Sequence, residues 1–160
     1  RIYGLRHVVF RMSCIYGSRQ FGTEDQGWVA YFIIAHQFGR PITVYGNGKQ
    51  VRDILFVSDL VRAFELATQH IDATAGQVYN IGGGLDNTIS IWREFQPLLT
   101  ELTGKKVPVA YADWRPGDQP IYVSDTRKAM QDFGWAPTVG VREGVARLSA
   151  WVSENPGLFE

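Results

Sequence analysis

His7-Val8-Val9-Phe10-Arg11-Met12-Ser13-Cys14-Ile15-Tyr16-Gly17 begins as a β-branched apolar run and breaks into small and polar residues at Ser13. Such a run reads as a short buried strand, because Val and Phe fill a pleated surface well. Further along, Gly27 to Phe38 has a helical pattern, apolar on most faces, stopping at Gly39 with Pro41 just beyond. Ile42-Thr43-Val44-Tyr45 and Val51 to Val57 read as strands around Gly46-Asn47-Gly48, an Asn-Gly hairpin signal. Ser58 is expected to cap a helix with Leu60, Ala63, Phe64 and Ala67 along one face. Gln77 to Ile81 reads as a strand ended by Gly82-Gly83-Gly84, a strand-to-helix turn, and a helix follows from about Ile89 to Leu102, kinked or divided at Pro97. Val107 to Tyr111 reads as a strand, Asp125 as the cap of a helix ending at Gly134, and Val141, Val145, Leu148 and Trp151 as the face of a last helix. Strands alternating with helices predict an α/β fold with some parallel pairing. The helices outnumber what so few strands can cover, which points to a partner layer beyond this chain.

Composition narrows the function classes. Of the 160 residues, 45% are apolar and 20% charged, which places the chain among globular proteins rather than disordered ones. Lys plus Arg equals Asp plus Glu at 16 each, so the basic surplus of a nucleic-acid binder is missing. Recognition of an anion must therefore come from a few placed arginines. The one cysteine, Cys14, cannot form an internal disulfide and fits a reducing, cytoplasmic setting. The longest apolar run, Trp28 to Ala35, is far too short to cross a bilayer. The chain opens on Arg1 rather than methionine, so it is expected to be a fragment or a processed product.

Three segments are candidates for chemistry. Ser13 and Cys14 follow a strand, where ligands bind in open α/β sheets, although small residues completing a turn explain them equally well. Arg52 and Asp53 stand in an apolar strand beside Ile54, Leu55 and Phe56. A guanidinium there needs a partner, either a local ion pair such as Asp53 or a bound phosphate. Asp113-Trp114-Arg115-Pro116-Gly117-Asp118 contains a Pro-Gly turn; taken alone it reads as a turn, while Arg115 and Asp118 across it suit a phosphate and a ribose diol. Gly82-Gly83-Gly84-Leu85-Asp86-Asn87 has Asn where a dinucleotide fingerprint needs its third glycine. His7, His36 and His70 are too scattered for a metal site, and Trp135 reads as core.

Taken together, these segments resemble the extended short-chain dehydrogenase/reductase family of nucleotide-sugar epimerases and dehydratases. Arg11-Met12-Ser13-Cys14-Ile15-Tyr16-Gly17 is similar to the family's Arg-x-x-Asn-Val-Tyr-Gly loop. Val44-Tyr45-Gly46-Asn47-Gly48, Val51-Arg52-Asp53 and Val57-Ser58-Asp59-Leu60 resemble its Tyr-Gly-Asp-Gly, Arg-Asp and Val-x-Asp block. Tyr79-Asn80-Ile81-Gly82, Arg115-Pro116-Gly117-Asp118, Asp125 to Ala129 and Gly134-Trp135-Ala136-Pro137 follow in family order. Within the family, Ser13 to Gly17 with Arg19 to Gly22 and Glu24 to Trp28 is most similar to the CDP-paratose (CDP-tyvelose) 2-epimerase group.

The resemblance implies the C-terminal portion of an extended Rossmann-type fold, including the small substrate-binding α/β subdomain. The N-terminal NAD-binding half would be absent, and strands near 7–11 and 77–81 would belong to the Rossmann sheet. NAD would be bound mainly by that missing half, with Ser13 near the nicotinamide. Cys14 would take the place of an Asn that meets the sugar nucleotide, and Gln26, Gly27 and Trp28 would border the substrate. Thr43 and Tyr45 would hold the base, Arg52 and Arg115 the diphosphate, and Asp118 the ribose hydroxyls, with Tyr122 packed nearby. The ligand implied is a nucleotide-diphosphate sugar, a CDP-sugar by preference, and the parent enzyme a homodimer or tetramer. The catalytic Tyr-x-x-x-Lys pair is expected in the missing half, so the chain alone would not catalyse. Ser18, where the family has proline, and Pro97 inside a helix depart from the pattern.

Overall fold

Residues 3–159 are described by a computed structural model, and four of its five strand pairings are parallel. The first half contains β1 (Val9–Met12), β2 (Ile15–Tyr16), α1 (Trp28–Gln37), β3 (Ile42–Tyr45), β4 (Val51–Asp53), β5 (Leu55–Phe56), α2 (Val57–Gln69) and α3 (Ile71–Thr74). The second contains β6 (Val78–Ile81), β7 (Thr88–Ser90), α4 (Phe95–Thr103), β8 (Val109–Ala112), β9 (Ile121–Tyr122), α5 (Arg127–Phe133) and α6 (Val141–Glu154). Short 3₁₀ turns occupy Leu85–Asn87 and Pro156–Leu158. The parallel pairs are β1 with β6, β2 with β5, β3 with β8 and β4 with β9; among the described residues only β4 and β7 run antiparallel. Parallel pairing requires crossovers, which is why helices alternate with strands.

Two apolar clusters hold these elements together. The larger surrounds α1, whose residues Val29, Ala30, Phe32, Ile33, Ile34, Ala35 and His36 are all buried. It packs against α4 and α6 and stops where Gly39 enters the left-handed region at φ +65. Each fully buried side chain of the size of Ile33 or Phe95 contributes about 1.5–3 kcal/mol. The smaller cluster joins Leu55, Ala63, Ala67, Tyr79, Ile81, Phe133 and Trp135, with Phe10 packed on it.

Four expectations need correction. The strand at β1 forms, but it is not buried: Val9 is 45% and Met12 53% exposed. Among the described residues its only strand partner is β6, so one face and one edge remain open. The Asn-Gly turn does not make a hairpin. Gly46 and Gly48 both adopt positive φ, but the turn is braced by Trp92 and Arg93, whose N–H groups donate to the Gly48 carbonyl. That sends β4 to β7 and β9 while β3 pairs with β8. Ser58 lies inside α2, whose N-cap is Phe56 and lacks a side-chain cap. The expected helix from Ile89 divides into β7, a turn and α4, with Pro97 in the first turn of α4, where its missing N–H costs nothing. A reciprocal pair holds that turn: Ser90 N–H donates to Glu94, and Glu94 N–H donates to Ser90 Oγ.

Asp59 ties the smaller cluster to the chain around Thr138. Its carboxylate is 1% exposed and accepts from Thr138 N–H, Val139 N–H, Thr138 Oγ1 and Arg62, while Trp135 Nε1 donates to its carbonyl. Burial alone would raise its pKa, yet these donors together hold it below the ordinary carboxylate value. Asp59→Ala is expected to lower the unfolding free energy by about 3 kcal/mol, because four donors lose their acceptor. The unfolded carboxyl titrates near about 3.9, so the ionic contribution is complete above that pH and is lost as pH falls through the lower folded-state value. Urea unfolding of wild type and Asp59→Asn should therefore differ most at pH 7 and converge as pH falls toward 2.

Candidate functional site

A cavity of about 370 Å³ opens between the start of α1, the end of β3, strand β4 and the 113–120 loop. Its wall includes Gln26, Gly27, Trp28, Thr43, Tyr45, Arg52, Arg115 and Asp118. Eight residues expected at a ligand site from four separated segments thus meet around one space. Each is delivered by a local rule. The left-handed Gly27 (φ +77) sets the entry into α1 and places Trp28 at its first position. Alternation along β3 turns Thr43 and Tyr45 to the cavity and Ile42 and Val44 to the core. The same alternation along β4 separates Arg52 from its neighbour Asp53.

That separation corrects the local ion-pair reading of Arg52 and Asp53. Arg52 instead pairs with Asp118 at 2.6 Å, with both side chains largely buried. Asp118 Oδ2 also accepts from Gln50 Nε2 at 3.2 Å, and the same amide nitrogen donates to the Tyr45 carbonyl at 2.7 Å. Asp53 faces the other way and is fully buried. It accepts from Gly84 N–H at 3.1 Å, Ser124 N–H at 3.0 Å and, at 3.4 Å, Ser13 Oγ. Gly82 is required there, since a Cβ on it would stand 2.4 Å from Asp53 Oδ2 and 2.2 Å from Ser124 Oγ. The triple glycine therefore serves a carboxylate rather than a dinucleotide, and it leads into a 3₁₀ turn and β7, not into a long helix.

Arg115 reaches across the mouth of the cavity. Its guanidinium lies 4.0 Å from the Tyr45 ring centroid, 3.2 Å from Asp25 and 3.8 Å from Glu24. The Tyr45 hydroxyl donates to Glu24. Arg115 and Glu24 keep about a third and two fifths of their side-chain surface, so this pair is worth at most about 1 kcal/mol and yields readily to a competing anion.

Ser13, Cys14 and Tyr122 stand outside the cavity wall. Tyr122 pairs with Arg52 across neighbouring strands. Ser13 and Cys14 follow β1, and Cys14 has φ +45, an uncommon backbone state for a residue with a side chain. Burial pushes the Cys14 thiol above its ordinary pKa, while the Trp28 indole and Ser13 beside it pull the other way. Sequence reasoning missed Glu24, Asp25, Tyr31, Gln50 and Ile91 in the wall. For Gln50 a signal existed: an uncharged polar residue directly before an apolar strand, where burial obliges its amide to find partners.

One further correction concerns the Tyr-x-x-x-Lys pair expected outside this chain. Tyr45 and Lys49 do have Tyr-x-x-x-Lys spacing. They flank a turn rather than sharing a helix face, Lys49 is exposed, and the Tyr45 hydroxyl is engaged by Glu24. Residues four apart stand side by side on a helix face, and this pair does not share one.

The profile of the NAD dependent epimerase/dehydratase family matches residues 1–82. CDP-paratose 2-epimerase of Salmonella typhi is 37% identical over 158 residues, covering 96% of this chain and 46% of that protein. dTDP-glucose 4,6-dehydratase of Neisseria gonorrhoeae is 32% identical, covering 97% of this chain and 46% of that protein. Among solved structures, UDP-glucose 4-epimerase from Thermotoga maritima with UDP-glucose superposes with a TM-score of 0.84 at 32% identity. That match covers 96% of this chain and 48% of the other. The chain spans about half the length of the curated relatives it matches, and its fold corresponds to their C-terminal half.

The raised thiol gives a direct check on the local environment. Cys14 is expected to react with iodoacetamide at pH 8 more slowly than free cysteine, because burial keeps the reactive thiolate scarce. Mass spectrometry of timed samples of the chain and of free cysteine measures both rates.

Proposed function

We propose that this chain, which belongs to the NAD dependent epimerase/dehydratase family, is the nucleotide-sugar-binding part of an NAD-dependent sugar-nucleotide epimerase, most like the CDP-paratose 2-epimerases. The observation that carries this reading is the convergence of Arg52 and Arg115 on one cavity, both held by carboxylates. A carboxylate imitates a phosphate oxygen for a guanidinium, so each arginine already faces an anionic oxygen in the wall. The diphosphate of a CDP-sugar would replace Asp118 on Arg52 and the acidic pair on Arg115. Asp118 would then accept from ribose hydroxyls, Thr43 and Tyr45 would flank the base, and Gln26, Gly27 and Trp28 would border the sugar.

NAD, when bound, supplies the acceptor and donor of a hydride, so that a sugar carbon is oxidised and then reduced on its other face. This chain's residues fit a minor share of that work. Ser13 lies past the carboxyl end of a parallel strand, the position at which open α/β sheets meet dinucleotides, and Asp53 holds its hydroxyl. Strands β1 and β6 would continue into the Rossmann sheet, consistent with exposed Val9, Met12 and Val78 along their open side. The chain would anchor the nucleotide while the sugar turns, and the partner half would supply the catalytic pair.

A 4,6-dehydratase is the second reading, favoured by the 32% identity to dTDP-glucose 4,6-dehydratase. Calorimetric titration of the chain with CDP tests the site itself. Arg52→Ala and Arg115→Ala are each expected to weaken binding by about tenfold or more, the equivalent of a lost charge-assisted hydrogen bond of about 1.5–3 kcal/mol. A chain that binds no nucleoside diphosphate would overturn the enzyme-derived reading in favour of a scaffold in which both arginines are structural ion pairs.

A further inference from the structure

We infer that Glu24 reads the base, selecting a cytosine ring over uracil or thymine; the inference rests on the nucleotide reading above. The cavity wall carries three carboxylates, Glu24, Asp25 and Asp118, against two guanidiniums, Arg52 and Arg115. A diphosphate bound to both arginines leaves all three carboxylates to find other donors. Asp118 retains the Gln50 amide at 3.2 Å and gains the ribose hydroxyls. Asp25 is 90% exposed and stays hydrated. Glu24 alone is anchored inside the site, because the Tyr45 hydroxyl donates to its Oε1. Among the described residues its second oxygen accepts no hydrogen bond, so one lone-pair face remains beside the Thr43–Tyr45 end of the cavity.

The surroundings deepen that preference for a donor. Gln50 is 1% exposed, and its Nε2 is committed to the Tyr45 carbonyl and to Asp118. Turning the amide over would set its oxygen against both of those acceptors, so Oε1 must be the free atom, and it is buried without a partner. Gln50 therefore offers the base no free N–H. Cytosine presents an exocyclic amine at the ring position where uracil and thymine present a carbonyl oxygen. An amine donates to an anchored carboxylate; a carbonyl oxygen meets it lone pair to lone pair. Discrimination by a site that hydrogen-bonds one group and repels its replacement is large when dry, and about tenfold is expected at this partly exposed position.

Calorimetric titration of the chain with CDP and with UDP tests the inference, for wild type, Glu24→Gln and Tyr45→Phe. Wild type is expected to bind CDP at least about tenfold more tightly than UDP. Glu24→Gln should bring that ratio close to one, chiefly by tightening UDP, since a glutamine amide can donate to the carbonyl oxygen. Tyr45→Phe, which releases the anchor, should lower the ratio without reversing it. Wild type binding the two nucleotides equally, or a ratio that survives Glu24→Gln, would overturn the role of Glu24 while leaving the nucleotide site intact. Binding of neither nucleotide would overturn the site reading itself, and this inference with it.

Discussion

The fully buried carboxylate of Asp53 accepts the backbone N–H groups of Gly84 and Ser124 and so joins three segments far apart in the chain. Ile54, the next residue, belongs to the larger apolar cluster, and Leu55, one further, to the smaller. The strand that presents Arg52 to the cavity is thus pinned on its other side by a charge that cannot be moved cheaply. Leaving those N–H groups without an acceptor costs about 1–3 kcal/mol each, and an unpaired buried carboxylate costs more. Asp53 avoids that penalty with two backbone N–H groups and the Ser13 hydroxyl, leaving Arg52 free for the cavity.

From that anchor a second network runs outward. Arg52 holds Asp118, Asp118 holds Gln50, and Gln50 holds the carbonyl of Tyr45, whose hydroxyl holds Glu24. These linked side chains are oriented before any ligand arrives. Preorganisation of this kind reduces the ordering that binding must otherwise impose. The links weaken toward solvent, from the buried Arg52–Asp118 pair to the exposed Arg115–Asp25 pair. A ligand entering at the mouth therefore meets the most replaceable partners first.

Most secondary elements were legible because their signals are local. The apolar pattern of α1 ending at Gly39, the helix ending at Gly134 and the face of α6 all appear where expected. The failures share a cause. Asn47-Gly48 has the residues of a hairpin turn, but whether flanking strands meet depends on competing partners, and Trp92, β8 and β9 compete more effectively. The span around Ile89 alternates and is helical by turns, and only packing of β7 on β4 decides between the two. Burial of β1 was read from composition, whereas burial is a property of what lies alongside.

The α/β class and the family could be read along the chain, because periodicity, glycine placement and motif order are written along one dimension. The sequence also required a partner for Arg52, since a guanidinium among Ile54, Leu55 and Phe56 cannot stand alone. Which partner that is depends on the folded arrangement of the strands. Adjacent residues of a strand point to opposite faces, so Asp53 turned inward to backbone donors, and Asp118, sixty-six positions away, reached Arg52 instead.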